Sequence, residues 1–250
     1  MSFLKRSVQY CLFAIAKLSL AHHEPYVVVV SGSTNRQTVK EAIGKKLGEA
    51  FTVRVSPKNF NAELGVPMSI VDIPSGGGSF LGWFSVLIRA LRYAIGGKRE
   101  DVCIAEFAVS RPRDMRYLLR LLRPDCVVLT DLTSEYLSAF GTLETKAKEY
   151  EDLLMRIKAN GLAVLNQDDA RICALHAGVS VVKTTYGLAG DALYRANHIT
   201  SNEHGTSFYV HAPGLPVQHA HIISFGKSAI YAYLAAEAVA THATTHWKKT

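Results

Sequence analysis

The chain has 250 residues, of which 48% are hydrophobic and 20% are charged, and its formal net charge is +7. This composition is typical of a globular protein with a sizeable buried core, and it excludes a disordered or collagen-like chain. The positive charge favours anionic ligands, but the basic residues are scattered and form no run interleaved with aromatic residues, which argues against a nucleic acid partner.

The cysteines indicate a reducing compartment. Cys11, Cys103, Cys126 and Cys173 are far apart, and no two of them form a C-x-x-C pair that would suggest structural zinc. Cys103 and Cys126 fall in apolar runs, where a thiol usually acts as a small hydrophobic group. We therefore expect a cytoplasmic protein.

Residues 1–24 are predicted to form an amphipathic helix that packs on a single domain at residues 25–250. Lys5 and Arg6 precede a short apolar run, as in a signal peptide, but Lys17 interrupts the run, which is too short to span a bilayer. A membrane partner is therefore not expected. The sequence leaves open whether the helix is an interface, a membrane-surface helix or a signal segment.

Beyond this helix, short apolar runs alternate with helical patterns. Such alternation predicts a doubly wound α/β fold with a mostly parallel sheet and right-handed crossovers. The predicted strands are 26–30, 52–55, 102–106, 126–130, 162–165 and 179–183, and the predicted helices are 38–50, 80–94, 112–122, 143–159 and 168–176. In the helix at 80–94, helical spacing predicts core positions at Trp83, Phe84, Leu87, Ile88 and Leu91.

The pattern changes after Gly190. Strands at 194–199, 207–211 and 218–224 follow without crossover helices, which predicts an antiparallel edge of the main sheet or a small antiparallel flanking sheet, before a final helix at 228–241. His219 and His221 should project from one face of the last strand, but no third ligand follows at a suitable spacing for a metal. The segment 74–79, which is rich in glycine and serine, is predicted to be a loop.

The segment between the first strand and the next helix lies where a phosphate-binding loop belongs in such a fold. A P-loop needs a glycine before its lysine, the lysine itself, and a hydroxyl directly after it. Those three positions are Asn35, Arg36 and Gln37 here. Asparagine tolerates a left-handed backbone, and arginine still supplies a cation. The candidate nucleotide-binding residues in this loop are Gly32, Ser33, Thr34, Asn35, Arg36, Gln37 and Thr38.

Several further runs, in this order and spacing, resemble the central, ATP-binding domain of the Mur ligase family. The similarity is greatest to the branch that adds D-alanyl-D-alanine to a UDP-muramoyl tripeptide, and it extends from about Pro25 to His242. The runs that carry it include Asn59-Phe60-Asn61-Ala62-Glu63-Leu64-Gly65-Val66-Pro67, Arg113-Asp114-Met115-Arg116-Tyr117-Leu118, Phe140-Gly141-Thr142-Leu143-Glu144, Asn160-Gly161-Leu162-Ala163-Val164-Leu165-Asn166-Gln167-Asp168-Asp169 and Tyr186-Gly187-Leu188.

The resemblance implies an ATP-dependent carboxylate–amine ligase of peptidoglycan precursor synthesis, with ATP and Mg²⁺ as cofactors. Glu106 matches the family's magnesium-binding glutamate, and Arg36 stands at the position of the P-loop lysine, so these two are the candidate catalytic residues. Glu106 also ends a central parallel strand, where open α/β sheets bind ligands. Asn59 and Asn61 match a segment that the family uses near the phosphates.

Other positions depart from the family pattern. Tyr136 replaces the histidine that binds a second magnesium, Tyr150 replaces a carbamoylated lysine, and Ser228-Ala229 replaces a His-Asn pair; using Lys146 or Lys148 instead of Tyr150 would break the ungapped match. The resemblance includes neither of the family's flanking domains.

These departures predict a divergent ATP-binding domain that is catalytically degenerate and binds a nucleotide or another anionic small molecule. Three alternatives remain open. The first is an active ligase in which a partner chain or a homo-oligomer replaces the missing domains. The second is a non-enzymatic binder of an anionic ligand or a protein. The third is a nucleic-acid or membrane-surface binder driven by positive charge.

Overall fold

The computed structural model describes residues 3–73, 80–175 and 180–247, which form nine strands and nine helices. The strands are β1 (Tyr26–Ser31), β2 (Val53–Val55), β3 (Val102–Phe107), β4 (Cys126–Leu129), β5 (Leu162–Asn166), β6 (Val182–Gly187), β7 (Tyr194–Asn202), β8 (Gly205–His211) and β9 (Gln218–Ile222). The helices are α1 (Phe3–His23), α2 (Arg36–Leu47), α3 (Gly65–Ile70), α4 (Phe80–Gly96), α5 (Asp114–Leu118), α6 (Leu137–Phe140), α7 (Leu143–Met155), α8 (Ala170–Ala174) and α9 (Lys227–His246).

All nine strands belong to one sheet in the order β2-β3-β1-β4-β5-β6-β7-β8-β9. Pairing is parallel from β2 to β7 and antiparallel from β7 to β9. Every residue of β1 is buried, as expected for a strand with a continuous run of valines that is covered on both faces. The predicted α/β fold with a mostly parallel sheet is confirmed, and the antiparallel strands continue the main sheet instead of forming a separate one.

Helices cover both faces of the sheet. One apolar cluster contains buried residues of α1, α3, α4, α5 and α7, and α1 contributes Val8, Leu12 and Ala16 to it. The other cluster contains buried residues of α2 and α9, which pack against each other. The N-terminal helix therefore shares the core on its side of the sheet.

The helical layer differs from prediction in several places. The short helices α3 and α6 were missed because each has too few residues for a visible apolar period. The helix predicted at 112–122 is shorter in the structure: α5 begins at Asp114 because Arg113 adopts a left-handed conformation (φ 76°), and it ends at Leu118. Strand β6 begins at Val182 and not at residue 179, which lies outside the described residues, as does the predicted loop at 74–79.

The prediction that one face of α4 is buried core is only partly correct. Trp83 and Leu87 are half-buried against the core, whereas Phe84, Ile88 and Leu91 are 57%, 46% and 43% exposed. The inward side of the helix is instead filled by Val86, Ala90 and Ala94. The helix is therefore apolar on both its covered and its exposed side.

In the part of the chain that the structure describes, no helix is both long and apolar enough to cross a bilayer.

Candidate phosphate-binding site

The candidate site lies where the carboxyl ends of β3, β1 and β4 meet. The register aligns Val30 of β1 with Glu106 of β3, and Ser31 with Leu129 of β4. Because β1 lies between β3 and β4, the strand order of the sheet reverses at β1. Open α/β sheets bind ligands in the crevice at the carboxyl ends of the strands at such a point. The loop after β1 and Glu106 are therefore adjacent, as the sequence predicted.

The loop after β1 has the backbone of a tight strand-to-helix turn. Gly32 has φ +131°, and a Cβ atom there would lie 2.0 Å from Thr130 Oγ1 and 3.0 Å from two backbone nitrogens. Asn35, immediately before α2, has φ 59° and ψ 4°, the left-handed conformation that asparagine tolerates. Among the described residues, no acceptor pairs with the amide groups of Arg36, Gln37 and Thr38, as is usual in the first turn of a helix. These three amides can receive an anion.

Two cations hold the carboxylate of Glu106. Lys40 Nζ lies 2.9 Å from Oε2, and Arg36 Nε lies 3.3 Å from Oε1. Asn61 Nδ2 donates a further hydrogen bond of 2.8 Å to Oε1. The Lys40 side chain is fully buried and that of Glu106 is 5% exposed, so the cluster is screened from water. Both carboxylate oxygens are therefore occupied by side chains of the protein itself.

The pKa of Glu106 reflects these contacts. Burial alone would raise it, but the hydrogen bonds from Asn61 and Lys40 and the charges of Lys40 and Arg36 lower the pKa of this carboxyl below its ordinary value. Glu106 is therefore ionised at neutral pH, and its negative charge is compensated inside the fold.

Arg36 also braces the loop from within. Its guanidinium donates to the carbonyl oxygens of Gly32 and Ser33, in addition to its contact with Glu106. Its Nη1 atom lies 3.9 Å from a carboxylate oxygen of Glu135. A guanidinium can make these contacts at the same time because it carries five donors in a planar fork.

A carboxylate occupies the other end of the loop. Asp131 Oδ1 accepts hydrogen bonds from the amides of Ser33 (2.8 Å) and Thr34 (2.7 Å), and Oδ2 accepts one from the Thr34 hydroxyl. Thr130 Oγ1 donates to Thr34 O at 2.7 Å. Two loop amides thus bind an internal anion, which leaves the first turn of α2 as the part of the loop open to an external one.

Lys146 supplies a third buried cation. Its ammonium donates to Ser33 Oγ (2.8 Å), Thr133 O (3.0 Å) and Glu135 O (2.7 Å), and the residue is 1% exposed. Burial lowers the pKa of Lys146, and the neighbouring carboxylates of Glu135 and Asp131 oppose that effect. The lysine ties the loop to the segment between β4 and α6.

Tyr150 lies one helical turn beyond Lys146 and is fully buried. Burial raises the pKa of its phenol, so the hydroxyl is neutral at physiological pH. Tyr136, at the other position where the sequence departs from the family pattern, is 52% exposed and has φ 58°. Neither phenol can replace the anionic or imidazole ligand that a second metal would need.

Three of the predicted site residues point elsewhere. Asn59 is exposed in a turn with φ 66°, and Asn61 alone of the two asparagines reaches Glu106. The Gln37 amide nitrogen donates to Glu41, and its oxygen is buried without a hydrogen-bond partner in the described part of the chain. Thr38 lines a separate groove against α9.

The side chains present do not fit a magnesium ion. Mg²⁺ binds one or two carboxylates whose oxygens are free to coordinate it. Here both oxygens of Glu106 are paired with cations, the Asp131 carboxylate binds two loop amides and the Thr34 hydroxyl, and a Glu135 oxygen lies 3.9 Å from Arg36 Nη1. The amide oxygen of Gln37 is buried without a partner among the described residues. No cluster of three histidine, cysteine or acidic side chains suited to a metal occurs among the described residues.

Sequence reasoning missed Lys40, Asp131 and the contacts of Lys146. Lys40 is four positions after Arg36 and therefore on the same face of α2, a signal that helical spacing could have revealed. Asp131 lies two residues beyond the end of β4, and Glu106 is the penultimate residue of β3, so the rule that ligands bind at strand ends applies to both. Lys146 carries no comparable signal, because a helix lysine is usually solvated.

Comparison with known proteins identifies relatives of this chain. Residues 30–240 match the family model described as the Mur ligase middle domain. The UDP-N-acetylmuramoyl-tripeptide–D-alanyl-D-alanine ligase of Bacillus subtilis is 22% identical over 196 residues, which are 78% of this chain and 37% of that protein. The Escherichia coli ligase of the same name is also 22% identical, over 75% of this chain and 37% of its own length. The chain thus spans about two fifths of the length of these relatives.

Solved structures show the same fold. The MurF ligase of Thermotoga maritima in complex with ADP superposes with a TM-score of 0.75 at 23% identity, over 97% of this chain and 50% of that one. A MurF structure from Acinetobacter baumannii gives a TM-score of 0.78 at 16% identity, over 94% and 46% of the two chains. Because the family model covers most of the sequence, the chain belongs to the Mur ligase middle-domain family.

Proposed function

We propose that this chain is a Mur-ligase-type nucleotide-binding domain that handles phosphate with fixed side-chain cations and has lost metal-dependent formation of an acyl phosphate. The observation that carries the proposal is the carboxylate of Glu106, which lies against Lys40 Nζ at 2.9 Å and Arg36 Nε at 3.3 Å. In this arrangement the protein itself supplies the positive charge that would otherwise come from a metal.

The nucleotide part of the proposal rests on the family and on the loop. One structural neighbour, the Thermotoga maritima ligase, was solved with ADP. The unpaired amides of Arg36, Gln37 and Thr38 open α2, where the helix dipole favours negative charge. We propose that Gly32 to Thr38 contact a phosphate through these amides and that Arg36 contributes charge to it.

The loss of catalysis follows from the chemistry of phosphoryl transfer. Its transition state is stabilised mainly by metal ions and cations that are preorganised around the transferred group. Removing one such contact typically lowers the rate by roughly 100-fold or more. This chain has no P-loop lysine, its Glu106 is occupied, and tyrosines stand at both second-metal positions, so the losses accumulate.

The test is the affinity for ATP and ADP, measured by calorimetry in excess Mg²⁺ and again in EDTA. Because the site has no metal ligands to spare, we expect the two dissociation constants to agree within about threefold, a difference below 1 kcal/mol. We also expect no ATP hydrolysis above background. Arg36→Ala should weaken binding about tenfold or more, because a charge-assisted phosphate contact is lost.

Lys45→Ala is the matched control, since Lys45 is an exposed cation on the same helix, and it should leave the affinity unchanged. If Mg²⁺ tightened binding tenfold or supported turnover, the proposed loss of metal-dependent chemistry would be wrong. If neither nucleotide bound, the nucleotide-binding part of the proposal would fall.

An active ligase is the second candidate, and the match to the middle domain of a ligase family favours it. On that hypothesis the other parts of the ligase come from a partner chain or from a second copy, which would present the UDP-linked substrate and the amine. ATP consumption that appears only when both substrates and that partner are added would support it. The same result would contradict the loss of catalysis proposed above.

A further inference from the structure

Two surface helices that share one core present an unusual amount of apolar surface. Six large apolar side chains of α1 and α4 are between 43% and 73% exposed, namely Tyr10, Leu18, Phe84, Ile88, Leu91 and Ile95. We call the exposed sides of these two helices, which pack against each other, the α1–α4 face. On α4 the four residues are spaced by four, three and four positions, so they form one stripe along the helix. A stripe of this kind on a soluble protein usually marks an interaction site.

The charges around this face have one sign. Neither α1 nor α4 contains an aspartate or a glutamate, although together they span 38 residues (21 in α1 and 17 in α4). Arg89 and Arg92 lie beside the stripe and line a groove of about 450 Å³ together with Phe84 and Ile88. Asp72, the acidic residue in the lining of that groove, is paired with Arg54 at 2.7 Å. The groove therefore offers two cations next to apolar side chains.

A second basic depression flanks α1 on its other side. His23 of α1 contacts Tyr93 of α4, whereas Lys17 and Leu20 of α1 line a cavity of about 820 Å³. The other basic side chains around that cavity belong to the α5–β4 connection and to the segment after α7: Arg120, Arg123, Arg156 and Lys158. Lys158 is paired with Asp125, and Glu24 is the acid in the lining. Positive charge thus borders the α1–α4 face on both sides.

We propose that the α1–α4 face is a docking surface for an anionic phospholipid membrane. The apolar stripe would enter the boundary between headgroups and acyl chains, and Arg89, Arg92 and Lys17 would contact lipid phosphates. This combination of an exposed apolar stripe with adjoining basic residues is the physical signature of a helix that lies in the membrane interface. Since no described helix can cross a bilayer, the contact is peripheral.

Charge complementarity favours a membrane over a second copy of the chain. In a two-fold dimer the same patch meets itself. Arg89 and Arg92 of each copy would then face a patch whose two helices provide no carboxylate to compensate their charge. An anionic lipid surface supplies that compensating charge.

The test is flotation of the purified chain with vesicles made of equal parts phosphatidylglycerol and phosphatidylcholine, compared with vesicles of phosphatidylcholine alone. We expect binding to the mixed vesicles, which weakens as salt rises, and background binding to the neutral ones. Replacing Arg89 and Arg92 together by Glu should lower the partition coefficient at least about tenfold. Replacing Phe84 and Ile88 together by Ser should lower it similarly, with the melting temperature little changed because both side chains are largely exposed.

Matched controls lie on other surfaces. Lys45→Glu combined with Lys227→Glu makes the same change in net charge at exposed positions of α2 and α9, and Ile223→Ser combined with Phe225→Ser removes two other exposed apolar side chains. Both control pairs should retain binding. The proposal is overturned if wild type does not float with the mixed vesicles at low salt, or if the control pairs lose binding as much as the α4 pairs.

Size-exclusion chromatography tests the alternative that a second copy of the chain covers the α1–α4 face. If the chain dimerises and Phe84→Ser combined with Ile88→Ser makes it monomeric, the α1–α4 face is an interface between copies and the membrane proposal is wrong. A wild type whose elution does not change with concentration supports the membrane as occupant.

Discussion

At the scale of single residues, the site is defined by how one buried carboxylate is neutralised. Glu106 has two cationic neighbours and one amide donor, all from side chains. A buried ion pair of this kind contributes little net stability, but removing one partner leaves an uncompensated charge and is costly. The cluster therefore fixes the geometry of the loop more than it stabilises the fold.

This electrostatic arrangement predicts how stability depends on pH. Because the folded-state pKa of Glu106 is lowered, its contribution is present above the pKa of the unfolded chain, about 4.3, and is lost as the pH falls through the folded value. Glu106→Gln should cost about 2–4 kcal/mol at neutral pH, since Lys40 and Arg36 lose their counter-ion. We expect this difference to shrink as the pH is lowered below about 4.

Urea unfolding of wild type and Glu106→Gln across this pH range measures the difference. Glu41→Gln is the control, because Glu41 is exposed on α2 and should show a small difference at every pH. If Glu106→Gln lowered the free energy of unfolding by the same amount at every pH, including below pH 4, the negative charge of Glu106 would not be the source of its interaction with Lys40 and Arg36.

At the scale of elements, the loop between β1 and α2 depends on its first glycine. Gly32 has φ +131°, and Thr130 leaves no room for a Cβ atom. Gly32→Ala should therefore destabilise the protein by about 2–4 kcal/mol through backbone strain and crowding. It should also reduce nucleotide affinity, because the turn that presents the amides of α2 is displaced.

Gly190→Ala is the matched control for this prediction, because no atom lies within 4 Å of the position where its Cβ would be. It should change the free energy of unfolding by less than about 0.5 kcal/mol. Equal effects of the two substitutions in urea unfolding would rule out a special role for the loop geometry.

The sequence revealed the secondary-structure elements more completely than the contacts of the candidate site. Four of the parallel strands, β1, β3, β4 and β5, are fully buried, mainly apolar runs, so the sequence revealed that they exist and are strands. The short helices α3 and α6 leave no periodic trace in the sequence. Glu106 was found because it matches a glutamate of the family pattern, and its place near a strand end agreed with that match. The partners of Glu106 and Ser33 could not all be found, because the contacts of Lys40 and Lys146 depend on side-chain paths through the packed interior.

The exposed stripe of α4 is a second feature that the sequence could not reveal. Helical spacing of apolar residues predicts that a helix has a buried side, but α4 is apolar on more than one side, and spacing alone cannot say which side the sheet covers. Small residues, Ala90 and Ala94, allow close packing inward, and the larger ones face outward. Which side of α4 is buried depends on how the helix packs against α1 and the sheet.

At the scale of the whole molecule, the sequence predicted that residues 1–24 form a helix that packs on the domain, and the question is how much this packing contributes to the stability of the core. Val8, Leu12 and Ala16 are almost completely buried in the cluster on one face of the sheet. Burying a large apolar side chain contributes about 1.5–3 kcal/mol. A chain that starts at His23 should therefore lose at least about 4 kcal/mol of stability, or fail to fold.

Urea unfolding monitored by circular dichroism measures this loss, and two point variants separate packing from simple truncation. Leu12→Ala should cost about 2–4 kcal/mol, because Leu12 is fully buried, whereas Leu18→Ala, at a position that is 47% exposed, should cost less than about 1 kcal/mol. If the chain starting at His23 unfolded at the same urea concentration as wild type, α1 would be an appendage whose burial contributes nothing. If it were destabilised as expected, α1 would serve the molecule twice, with one side completing the core and the other carrying Tyr10 and Leu18 of the α1–α4 face.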